Sequence, residues 1–142
     1  MATSATLKAM VDAVISLITS AAPELKQVHD GQIAVIPDYP AAAVSVSNAI
    51  VVARSTALED VSADIEVWLY VKDFDNGEVE CRALACKVMD ALQTARKLMN
   101  TAYDNGLGNT GFKMDFGRAQ KQGQIPFACC LSFNSRANQI IP

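Results

Sequence analysis

Ten residues near the middle of the chain alternate without a break. In Ala63–Lys72, Ile65, Val67, Leu69 and Val71 fall on one side, and Glu66, Trp68, Tyr70 and Lys72 on the other. Successive side chains of an extended strand point to opposite faces, so this segment reads as a strand with one wholly apolar face. That face needs a cover, and two segments are patterned to supply it. After a cap at Thr3 or Ser4, residues Leu7, Met10, Val11, Val14, Leu17, Ile18 and Ala21 recur at helical spacing, and Pro23 ends the helix. A second helix is expected from about Glu78 to Met99, with the stripe Leu84, Val88, Ala91, Leu92, Ala95, Leu98 and Met99. Asp75, Glu78 and Glu80 at its start and Arg96 and Lys97 near its end suit the helix dipole.

Further strands flank these elements. Gln32–Ile36 and Ala43–Ala53 are β-rich runs separated by Asp38-Tyr39-Pro40. Pro37 and Pro40 belong at turns or strand edges, because proline cannot donate to a ladder. Near the C-terminus, Phe112, Met114 and Phe116 form one apolar face, and Ile125, Phe127, Cys129, Leu131 and Phe133 another. Ala119–Gln124 reads as the hairpin tip between them, and Ser135–Pro142 shows no clear element. The expected fold is α+β: one domain over residues 1–142, with a mainly antiparallel or mixed sheet of about four to five strands and two amphipathic helices packed on it.

Composition narrows the function classes. The chain is 51% hydrophobic, much of it from 22 alanines and 13 valines, and only 19% charged. A small domain with so little surface charge is expected to cover some apolar surface with a partner. Twelve basic against fifteen acidic residues, net −3, argue against a general nucleic-acid binder. No apolar run reads as the roughly 18–20 residues of a membrane span, since Asp12, Ser16 and Thr19 interrupt Ala9–Ala22, and no secretory signal is visible. The four cysteines are expected to be free thiols in a reducing compartment. Cys81 and Cys86 point to different faces of a helix, and the adjacent Cys129 and Cys130 to opposite faces of a strand.

The motifs with catalytic associations fall in the wrong contexts. Gly106–Gly111 spells GxGxxG, but it follows a helix and opens a strand, the reverse of a dinucleotide site. Asp73–Gly77 resembles the start of a calcium loop, yet glycine stands at the fifth position and Leu84 at the twelfth. His29 is the only histidine and sits in an expected loop, Val28-His29-Asp30-Gly31, without a nucleophile elbow. The acid pairs Glu59/Asp60 and Asp64/Glu66 read as solvated strand-end charges. No catalytic, cofactor or metal residues are assigned, and the chain is read as a non-enzyme. Trp68 and Tyr70 stand out: they are core if a layer covers the second face of their strand, or a subunit interface if none does, with Glu66 and Lys72 as its polar rim.

Several segments together resemble the bacteriophage tail-terminator and related head–tail joining (neck) proteins. They are the helix Ala5–Ala21, the proline-led strand Asp38-Tyr39-Pro40-Ala41-Ala42-Ala43-Val44, the strand Asp64–Val71, the helix Ala83–Leu92 and the closing Phe127–Phe133. The likeness is one of element order over most of the chain, and Ser47–Ser62 is the stretch it leaves unplaced. It implies a virion structural protein forming a ring, typically of six subunits, that caps the tail tube, stops its polymerisation and joins tail to neck. The implied partners are further copies of itself, the tail-tube protein and a neck or connector protein, with no membrane and no sequence-specific nucleic acid, although DNA passes through the ring. Trp68 and Tyr70 are then the candidate interface residues, and Ala119–Gln124 and Asp73–Gly77 are suited to axial contacts. The alternatives are another connector component, a tail-tube subunit, or a small α+β ligand-binding domain.

Overall fold

The alternating segment lies at the centre of the sheet. The computed structural model describes residues 3–32, 36–72, 76–94, 112–118 and 126–140. In chain order the elements are α1 (Thr3–Ala21), β1 (Gln27–Asp30), β2 (Ala41–Ala53), β3 (Leu58–Val71), α2 (Gly77–Thr94), β4 (Lys113–Arg118) and β5 (Phe127–Ile140). They build one five-stranded sheet in the order β1-β2-β3-β5-β4. Among the described strands only β1 and β2 run parallel; every other pair is antiparallel. Among the described residues the fold is α+β with two helices and a mixed sheet, as the pattern requires.

Both helices pack on one face of this sheet. Met10, Val11, Val14 and Ile18 of α1 and Cys81, Leu84, Ala85, Val88 and Leu92 of α2 meet Ile65, Val67 and Leu69 of β3 and Cys129, Leu131 and Phe133 of β5 in a single core. All but Cys81 and Ala85 are positions that the two periodicities assign to the inside; those two extend the α2 stripe by one more turn and a flanking position. By length and composition Ser4–Ala21, with mean hydropathy 1.3, could cross a membrane, which corrects the reading that no run qualifies. Here its apolar stripe is spent on the sheet. Gly77 opens α2 where a side chain would collide with the Phe127 ring, so the helix reaches β5 only because this residue has no Cβ. Glu78 and Glu80 fill the first turn of α2, as the dipole favours.

The observed strands depart from expectation in four places. The first strand is Gln27–Asp30, so His29 is on a strand and not in a loop. Its sequence, QVHD, has no alternation to announce it; it exists because it pairs with the start of β2, Gln27 opposite Ala41. Of the expected run Gln32–Ile36, the end residues are in no strand, and 33–35 lie outside the described residues. β3 begins at Leu58, five residues early, and the unplaced stretch Ser47–Ser62, past an irregularity at Ser47, forms the distal halves of β2 and β3 around a turn. The tail forms strand up to Ile140, opposite Leu58 of β3. The polar run Asn134, Ser135 and Arg136 hid that strand, which is held by a continuous ladder, with Ala137 beyond it reaching the core opposite Val61. The glycine-rich loop 101–111, the hairpin tip 119–124, the Asp73–Asp75 start of the calcium-like segment and the helix beyond Thr94 lie outside the described residues.

Candidate functional site

Sequence singles out the other face of the sheet, and no described helix covers it. Register places Glu66, Trp68 and Tyr70 of β3 there, beside Ala41, Ala43 and Ser45 of β2 and Ala128, Cys130 and Ser132 of β5. β4 adds Asp115 and Gly117 at the edge. One end is roofed by the segment between β1 and β2: Ile36 and Tyr39 pack with Ala41, Ala43, Tyr70 and Ala128. Trp68 and Tyr70 are brought together, with ring centroids 6.4 Å apart and planes 11° from parallel.

The two aromatics differ in exposure. Tyr70 is 2% exposed. Its hydroxyl donates to Gln32 Oε1 at 2.7 Å, and burial pushes its pKa up to about 12. Trp68 is half-buried and lines an open depression of about 260 Å³ with Glu66, Asp115 and Arg118. Tyr70 thus anchors the roof, while Trp68 offers surface. Lys72 sits 6.0 Å from the centre of the Tyr39 ring.

Farther along, the same face is polar. Asn134 Nδ2 donates to Ser62 Oγ at 2.9 Å and to Asp64 Oδ1 at 3.0 Å. Asn48 Nδ2 reaches Asp64 Oδ2 at 3.5 Å. Asp64 is therefore a cross-strand acceptor in mid-sheet, where a strand-end charge was expected. Arg54 Nε pairs with Asp60 Oδ2 at 3.0 Å near the turn. His29 Nε2 is 2.6 Å from Gln27 Oε1 on the first strand, beside Ala43. Among the described residues no group of three or more His, Cys, Asp or Glu could hold a metal ion.

Three of the four thiols are poor nucleophiles. Cys81 and Cys129 lie in the helix-side core, and burial raises them to about 11 and about 12. Cys130 is on the opposite face, as adjacency on a strand demands; burial first, and Glu66 beside it, push it up against an opposing hydrogen bond with Ser132, to about 11. Its Sγ donates to Glu66 Oε2 at 3.2 Å. Cys86 alone is exposed. A thiolate reagent at pH 8 is expected to modify one cysteine quickly in the native protein and four after denaturation. Fast native labelling of Cys130 would show that the Trp68 face opens.

Two apolar patches escaped the sequence reading. The first is the far end of the β2–β3 hairpin, where Ile50 is 55% and Val52 57% exposed, with Val51 and Leu58 beside them. The signal was present: Ala49-Ile50-Val51-Val52-Ala53 is apolar on both alternating faces, which a half-buried strand does not need. The second is at the β4 edge, where Phe116 is 47% exposed near a depression of about 200 Å³ bounded by Glu78, Cys81 and Phe127. Val79, in the first turn of α2, is also exposed. Arg118 lies 4.0 Å from the Phe127 ring centre. No protein-family model matches the chain, and no curated protein matches it.

Proposed function

We propose that this chain is a non-enzymatic structural protein of a bacteriophage virion, a tail terminator. Its copies form a closed ring, expected to be of six, on the end of the tail tube. The ring stops tube growth and joins the tail to the neck of the capsid. The element order that resembles that family supports this reading.

The observation that carries it is the placement of the exposed large apolar side chains. Ile50, Val51, Val52 and Leu58 cluster at one corner of the sheet, and Phe116 sits at the corner diagonally opposite. Two different patches on one subunit are what a head-to-tail contact uses, and such contacts close into rings when the rotation allows. A self-matching dimer would need only one patch. The net charge of −3 suits DNA passing through the ring better than DNA held by it.

Negative-stain images of the purified protein with native mass measurement test the proposal. Discrete rings of constant mass are expected at all concentrations above the assembly threshold. Long tubes would assign the chain to the tube itself, and a monomer at high concentration would sink the ring.

A further inference from the structure

The distal half of β2 is an open strand edge. β1 covers only Ala41–Val44; from Ser45 to Ala53, β2 pairs on one side alone among the described strands. Natural proteins protect such edges with lysine, proline or a covering element. The segment Ser45-Val46-Ser47-Asn48-Ala49-Ile50-Val51-Val52-Ala53 has no charge and no proline. At the opposite end of the strand order, β4 is likewise paired only with β5 among the described strands.

We propose that these two edges belong together: the distal β2 edge of one copy pairs with the β4 edge of the next, continuing the sheet between subunits. This rests on the ring reading above and names the surface that makes the ring. Four features support it. Beyond the irregularity between Val46 and Asn48, β2 offers six residues, Asn48–Ala53, and β4 offers six, Lys113–Arg118. Directions agree, since β2 and β5 both run antiparallel to β3, and β4 runs antiparallel to β5. A neighbour's β2 laid beside β4 with the same faces outward extends the antiparallel ladder.

The faces agree as well. Ile50 and Val52 share the face of Trp68, while Val51 shares the helix-side face with Phe116. An added strand would place Ile50 or Val52 toward the depression beside Trp68 and Val51 toward the one beside Phe116. Gly117, with nothing within 4 Å of where a Cβ would stand, leaves room on the Trp68 side. This is strand addition, with backbone pairing for affinity and alternate side chains for fit.

The edges sit at different heights. Val51 is level with Val61 of β3, whereas Met114 and Phe116 are level, through Leu131 and Cys129, with Val67 and Leu69. That offset is about 20–27 Å at about 3.4 Å per residue. Tilted strands absorb such an offset when a sheet closes into a barrel. Pairing β2 with its own copy would instead leave β4 and both depressions bare.

The test uses Val51→Cys and Phe116→Cys, singly and together, in a Cys86→Ser background, with a short bis-maleimide cross-linker. The double variant is expected to give a ladder that ends at the ring mass, and each single variant is expected to stay uncross-linked. Dimers from Val51→Cys alone would show β2 meeting β2 and overturn the inference. Rings of native mass without a ladder would overturn it while the ring itself stands. Folded monomers from the unmodified chain would remove both. Circular dichroism of each variant separates a lost contact from a lost fold.

Discussion

Trp68→Ala is expected to dissolve the assembly into single subunits that keep their fold. Trp68 lies on the helix-free face, between Ala43 of β2 and Cys130 of β5 in the ladder. Its contacts with its own chain are to Tyr70 and the small cluster under the roof segment. The main core uses the other face of the same strand, through Val67 and Leu69, and loses nothing. A tryptophan at the centre of an interface costs about 2 kcal/mol or more when truncated, roughly a thirtyfold loss at each contact. A ring multiplies that loss over every junction. Size-exclusion chromatography with light scattering should show monomer mass, and far-ultraviolet circular dichroism an unchanged spectrum. An unfolded product would mean that Trp68 serves its own subunit's packing instead.

Leu69→Ala is expected to do the reverse, removing stability before assembly can be asked about. Leu69 is fully buried in the central strand, facing both helices. Its ladder neighbours are Ala42 and Cys129, and the Cys81 thiol approaches its carbonyl at 3.9 Å. Small neighbours cannot swing into the space a leucine leaves. Loss of a buried leucine costs about 2–5 kcal/mol, at the upper end where the site cannot collapse. That is a large part of the about 5–15 kcal/mol of a whole domain. The urea midpoint should fall markedly with the slope unchanged. A shift below about 1 kcal/mol would mean that the core there is loosely packed.

What could be read from sequence followed from strong periodicity. The stripe from Met10 to Ile18, the alternation from Ile65 to Val71 and the apolar face from Cys129 to Phe133 all fall where the core is. The elements that were missed carry little pattern of their own. Gln27–Asp30 is strand because a partner strand passes beside it, and the end of β5 because β3 runs on alongside. Both depend on contacts distant in sequence, which local periodicity does not encode. The site was half legible. The aromatics Trp68 and Tyr70 announced the second face, but their division into one exposed and one roofed ring depends on where Ile36 and Tyr39 return. The hairpin end from Asn48 to Ala53 looked irregular because its apolar residues obey no single face. A strand end open on both sides has that pattern for the same reason.

The irregularity at Ser47 has a further consequence. Up to Val46, even-numbered residues of β2 face the helices; from Ala49 onward, odd-numbered ones do. One inserted residue resets the phase of everything beyond it. The base of the strand answers to the core, through Ala42 and Val44. The far end answers only to what it meets outside. Losing that residue would keep Asn48 opposite Asp64 and Val51 opposite Val61 on their present faces, so what the extra residue adds is a local bend between the two portions and not a new face. Two selective pressures can thus act on one unbroken strand: the portion that folds the subunit stays constrained, while the portion that recognises a neighbour is free to change with it.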